Sequence, residues 1–129
     1  MIDASLRRTC GLPALAGTTY SNPVDLQLSP RGLLVPFRVE LSVPALTVEE
    51  LADGETMTYE LEFSQSVFFT AAESFAKVIV QEGGAGGGAP EHVHSFELKA
   101  MPYRWMRLKV TNSGAGDASA KTVALLPIF

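Results

Sequence analysis

The stretch "PFRVELSV", Pro36 to Val43, and the later "TMTYELEFSQ", Thr56 to Gln65, decide the fold class. In the first, Phe37, Val39, Leu41 and Val43 share one face while Arg38, Glu40 and Ser42 share the other. In the second, Met57, Tyr59, Leu61 and Phe63 alternate with Thr58, Glu60, Glu62 and Ser64. A strand sends successive side chains to opposite faces, so both segments read as half-buried strands. They are expected to be neighbours in one antiparallel sheet.

Working outward, "PVDLQL" (Val24, Leu26, Leu28), "FAKVIVQ" from Phe75, "SFELKA" from Ser95, "RWMRLKVTN" (Met106, Leu108, Val110) and "KTVALLPI" are further strand candidates. Pro30-Arg31-Gly32, Asp53-Gly54, the glycine run and "NSGAGDAS" separate them with turn and loop chemistry. Many short strands punctuated in this way predict an all-β jelly roll or antiparallel β-sandwich. "TVEELAD", from Thr47, has the composition for a turn or two of helix or for a loop. Residues 1–22 alternate poorly and read as an N-terminal arm, leaving 23–129 as a single β-sandwich domain with a glycine-rich loop at 83–90.

Length and composition agree with one domain. A chain of 129 residues suffices for one core, and 47% hydrophobic against 19% charged residues disfavours extended disorder. A net charge of -4 with no basic stripe gives no footprint for gripping nucleic acid, and the same composition disfavours a membrane-spanning class, so neither is an expected partner. Cys10 is the one cysteine, which excludes an intrachain disulfide and fits synthesis in a cytoplasm. The apolar stretch after Arg7-Arg8 is broken by Gly11, Pro13 and Gly17, which does not suit a secretory leader.

The segment "VQEGGAGGGAPEHVHSFELK", Val80 to Lys99, holds the best candidates for chemistry. A phosphate loop needs Lys and then Ser or Thr after its glycines, whereas Gly88 is followed by Ala89-Pro90-Glu91. His92 and His94 are two apart, so a strand would present both on one face, able to grip one metal ion. Gly86 and "HVHSFE" are similar to the first metal motif of the cupins, but Glu97 falls on the opposite strand face and no third histidine exists. Two histidines fall short of a protein-held metal site, so no metal and no cofactor is expected. The favoured reading is a mobile hairpin loop that tolerates shortening.

The remaining candidates have bland readings beside the chemical ones. Cys10 reads as a buried thiol rather than a nucleophile, and Glu49-Glu50 and Glu60-x-Glu62 as solvated carboxylates rather than acid–base pairs. Tyr103 and Trp105 could stack a sugar, as in a β-sandwich carbohydrate-binding module. Their context "YRWMRLKV" equally suits a strand whose Arg104, Arg107 and Lys109 decorate a contact surface.

Both ends of the chain carry a resemblance. "MIDASLRRTCGLPALAGTTYSNPVDLQL" resembles the start of the capsid cement, or decoration, proteins of short-tailed bacteriophages, and "YRWMRLKVTNSGAGDASAKTVALL" resembles their C-terminal hairpin. Together the two stretches span somewhat under half the chain. The resemblance implies a non-catalytic jelly roll on the outer capsid surface of a virion, partnered by the major capsid protein and by itself, as a homodimer or else a trimer. It implies contact roles for Ile2, Asp3, Leu6, Arg7, Arg8, Thr19 and Tyr20. The glycine run departs from the family pattern. A cupin-like enzyme using His92 and His94 and the carbohydrate-binding module are the alternatives.

Overall fold

The computed structural model describes residues 7–14, 16–26, 37–69, 73–98 and 103–128. Their strands are β1 (Arg8–Gly11), β2 (Gly17–Tyr20), β3 (Val24–Asp25), β4 (Phe37–Val43), β5 (Thr56–Ser64), β6 (Glu73–Glu82), β7 (His92–Leu98), β8 (Trp105–Asn112) and β9 (Thr122–Ile128). One sheet runs β1-β9-β4-β7. The other runs β2-β8-β5-β6, with β3 also beside β8. Every pairing is antiparallel.

Following the chain, β1 to β2, β3 to β4, β4 to β5, β6 to β7, β7 to β8 and β8 to β9 each cross from one sheet to the other, while β2 to β3 and β5 to β6 stay within a sheet. This is the connectivity of a jelly roll, the architecture that the alternation predicted. Val39, Leu41 and Val43 of β4 face Met57, Tyr59, Leu61 and Phe63 of β5 across the core, joined by Met106, Leu108 and Val110 of β8 and Val123 and Leu125 of β9. Removing a side chain of this size from water contributes roughly 1.5–3 kcal/mol.

The implied C-terminal hairpin does not form, since β8 and β9 lie in different sheets and do not pair, and three further expectations are corrected. First, β4 and β5 are not neighbours: β4 pairs with β7 and β9, and β5 with β6 and β8. Alternation fixes which face is apolar, but two strands with apolar faces can equally pack face to face. The connection over residues 44–55 crosses between the sheets.

Second, the expected arm contains two strands among its described residues. Arg8–Gly11 pairs with Thr122–Leu125, and Gly17–Tyr20 pairs with Lys109–Asn112. Cys10 and Leu12 point inward, 4% and 2% exposed, and Thr18, Thr19 and Tyr20 are good strand formers. Residues 1–6, and with them Ile2, Asp3 and Leu6, lie outside the described residues.

Third, the glycine segment is not a hairpin loop, because β6 and β7 belong to different sheets. It is hydrogen-bonded to the 46–55 connection: Leu46 and Ala89 exchange backbone bonds of 2.8 and 2.9 Å, Gly88 N donates to Leu51 O at 2.7 Å, and Gly83 N donates to Glu55 O at 2.9 Å. A Cβ on Gly83 would collide with the carbonyl of Ala52, and Gly86, Gly87 and Gly88 have φ of 86°, 81° and 80°. The glycines permit close backbone approach and left-handed conformations. The "TVEELAD" stretch opens with a single turn, Leu51 N donating to Thr47 O at 2.9 Å.

Candidate functional site

The described N-terminal contact candidates lie along one side of the sandwich, where β1 and β2 are the edge strands of their sheets. Arg7 is exposed and lines a trough of about 520 Å³ on the outside of the four-stranded sheet, floored by the small residues Ser42, Thr122 and Ala124. Arg8 is half-buried, and its Nε donates to Pro23 O at 3.2 Å. Thr19 Oγ1 donates to Gly11 O at 2.7 Å and lies 3.5 Å from Cys10 Sγ, joining β1 to β2. Tyr20 is 47% exposed.

Tyr20 leads to a cluster that no sequence pattern signalled. On the outside of the second sheet, the Arg107 guanidinium lies 3.9 Å from the Tyr20 ring centroid and 4.2 Å from that of Phe69, while Arg107 Nε donates to Glu62 Oε1 at 2.8 Å. A guanidinium over aromatic faces is held by the ring quadrupoles as well as by its carboxylate. Phe69 adopts φ of 52°, rare for a bulky residue, inside a turn fixed by Phe69 N to Ser66 O, Phe68 N to Ser66 Oγ and Ser66 N to Ser64 Oγ. The turn sets Phe69 against Arg107 and leaves Phe68 82% exposed. Lys109 is the register partner of Tyr20, so the expected decorated strand does join the N-terminal strip.

The carboxylates expected to be solvated separate into structural roles, and Glu50 and Glu62 are buried rather than solvated. Glu62 belongs to Arg107, while Glu50 Oε1 accepts from Lys121 Nζ at 2.8 Å and from Thr47 N at 2.9 Å. Burial opposes the charge on Glu50, yet these hydrogen bonds hold its carboxyl below the ordinary carboxylate range. Burial pushes the Cys10 thiol up, the reverse of an activated nucleophile. Tyr59 is raised by burial, and its hydroxyl donates to Gln81 Oε1 at 2.6 Å, while Gln81 Nε2 donates to Pro44 O and Pro90 O.

Tyr103 and Trp105 take different partners. Tyr103 packs against the core, 6.1 Å from Phe63, while Trp105 lies 5.1 Å from the Arg104 guanidinium, itself paired with Asp25 at 2.9 Å.

His92 and His94 do share a strand face. Their rings stack with centroids 5.9 Å apart, and Phe96 continues the stack at 5.4 Å. Their register partners Val43, Leu41 and Val39 are buried, so this is the core-facing side of β7 at its margin. Among the described residues no group of three His, Cys, Asp or Glu side chains converges on a metal position.

No protein-family model matches the chain, and no curated protein matches it. Among solved structures, it is similar to a structure of tomato aspermy virus, at 9% identity and a TM-score of 0.46 over 94% of this chain and 74% of that one. It is also similar to the CBM32 of AlyQ in complex with 4,5-unsaturated mannuronic acid, at 15% identity and 0.36 over 99% and 81%. A third likeness is to the enzymatically active domain of tailspike protein 4 of bacteriophage CBA120, at 11% identity and 0.44, covering 93% of this chain and 14% of that one. The neighbours include viral and phage proteins, and the likeness is one of fold alone.

Proposed function

We propose that this chain is a non-catalytic bacteriophage capsid decoration protein that binds the outside of the major capsid protein shell and stabilises it. One observation carries the reading. The two stretches that resemble such proteins are far apart in sequence yet form one side of the sandwich, β1 pairing with β9 and β2 with β8. The docking surface on this reading comprises residues 1–6, including Ile2, Asp3 and Leu6, then Arg7 and Tyr20, with Phe68 beside the Arg107 cluster.

The test is co-sedimentation with undecorated capsids. The intact chain should pellet with the particles, and Tyr20→Ala/Phe68→Ala should weaken binding by an order of magnitude or more, since exposed aromatics dominate interface energetics. Removing residues 1–6 should weaken it comparably. No binding by the intact chain would overturn the proposal, and undiminished binding by both variants would move the docking surface elsewhere.

A further inference from the structure

The side of the sandwich opposite β1 and β2 ends in β6 and β7, again the edge strands of their sheets. Between them lies a cleft of about 460 Å³ lined by Ile79, Gln81, Glu82, Glu91, His92 and His94, among other residues. No described lysine or arginine lines it, so two carboxylates and two imidazoles set its character. Val93, pointing to the opposite face of β7, is 61% exposed.

The geometry points to half of a divalent transition-metal site, completed by a second copy of this chain. Two imidazoles on one tetrahedral zinc ion have ring centroids about 5 Å apart, from zinc–nitrogen bonds of about 2 Å. The stacked rings of His92 and His94, with centroids 5.9 Å apart, lie within about 1 Å of that spacing and would turn their nitrogens toward a shared ion. One chain supplies two such ligands, and Glu97 projects from the other face of β7, opposite Arg38 in register. The missing ligands can come from β7 of a second copy. Placing two β7 strands antiparallel about a two-fold axis at Val93 sets His92 opposite His94 of the second copy, and His94 opposite His92. Cross-strand Cβ atoms are then about 5 Å apart, within reach of a shared ion.

The same axis covers each exposed Val93 with its counterpart. Without a cation, Glu82 and Glu91 would bring like charge to this contact, so the metal both bridges the copies and offsets their acidic margins. The inference does not rest on capsid docking, although the trough that Arg7 lines also reaches Glu91, His92 and Val93.

The test is the mass of the purified chain by light scattering, in chelator and then in zinc chloride. The expected result is a monomer in chelator and a two-fold greater mass in zinc, with about one ion per two chains by elemental analysis. His92→Ala/His94→Ala should stay monomeric in zinc, and Val93→Lys should lose the dimer while keeping its fold by circular dichroism. A dimer that persists in chelator, zinc bound without a change in mass, or a zinc dimer retained by the double-histidine variant would each overturn the inference. Capsid binding measured in chelator tests the proposed function separately.

Discussion

The two sides of the sandwich meet the same problem differently. Each is formed by a pair of edge strands with unpaired backbone groups, a liability that β proteins cover or blunt. At the β1/β2 side, Thr19 joins the sheets through Gly11 O, Arg8 reaches Pro23 O, and Leu12 is buried in the gap. At the β6/β7 side, Gln81 makes the corresponding link through Pro44 O and Pro90 O at one end, while the middle is a cleft flanked by half-buried Ile79, His94 and Phe96. One margin is closed by the chain's own side chains and the other holds an open cleft. The difference teaches that apolar alternation builds the sheets, whereas a few polar side chains at the margins determine which edges remain available.

The most damaging way to break this arrangement is at the glycine segment that anchors the end of the open side. Gly83→Val should lower stability by about 3 kcal/mol or more in chemical denaturation, because the new Cβ meets the Ala52 carbonyl and neither backbone can yield cheaply. Gly84→Ala, with open space around the added Cβ, should change it by no more than about 0.5 kcal/mol. Equal midpoints for the two variants would show the segment to be a passive connector after all. Replacing Gly83–Ala89 by a short turn should fail likewise.

A smaller loss is expected from Gln81→Leu, which leaves the buried Tyr59 hydroxyl and two carbonyls without their amide partner. About 1–3 kcal/mol should disappear, read from the denaturation midpoint. On the closed side, Thr19→Val removes one hydrogen bond to Gly11 O and should cost about 1 kcal/mol. A loss at Thr19 exceeding that at Gln81 would reverse the ranking of the two margins.

The smallest effect concerns Lys121, which accepts from Leu12 N beside the closed side and holds Glu50 and Ala45 O through its ammonium group. The folded Glu50 carboxyl sits below its ordinary value, so its contribution is present above the unfolded value of about 4.3 and is lost as pH falls through the folded one. Glu50→Gln should therefore be less stable than the parent by up to about 1 kcal/mol at pH 7, and the gap should close below about pH 4. A gap that widens in acid would contradict the sign.

The legibility of the molecule in its sequence follows the same division. Arg38 to Val43, Thr56 to Leu61 and Met106 to Val110 alternate strictly, and their buried faces are readable without coordinates, whereas the burial of Glu62 and Ser64 is not. Partnership was not, because a face buried against a neighbouring sheet looks the same whichever strand lies alongside. The glycine run was misread for a related reason: composition reports what glycine permits, and only Ala52 and Val48 explain why the permission is needed. Small side chains at Thr9, Cys10 and Gly11 hid β1. The shared face of His92 and His94 was legible from their spacing, whereas the Tyr20, Phe69 and Arg107 cluster joins three distant positions through an unusual backbone angle at Phe69.

The position of β9 has a consequence for biosynthesis. It lies between β1 and β4, so the strand made first among those described has its sheet partner only after the strand made last has emerged from the ribosome. Until then β4 has β7 on one flank and nothing on the other, and the residues of β1 must wait unpaired through synthesis of everything between. Pairing across such a sequence separation is slow to form. Nascent chains stalled before Thr122 should thus be open to protease at both Arg7–Arg8 and the β4 flank, and emergence of β9 should protect both at once.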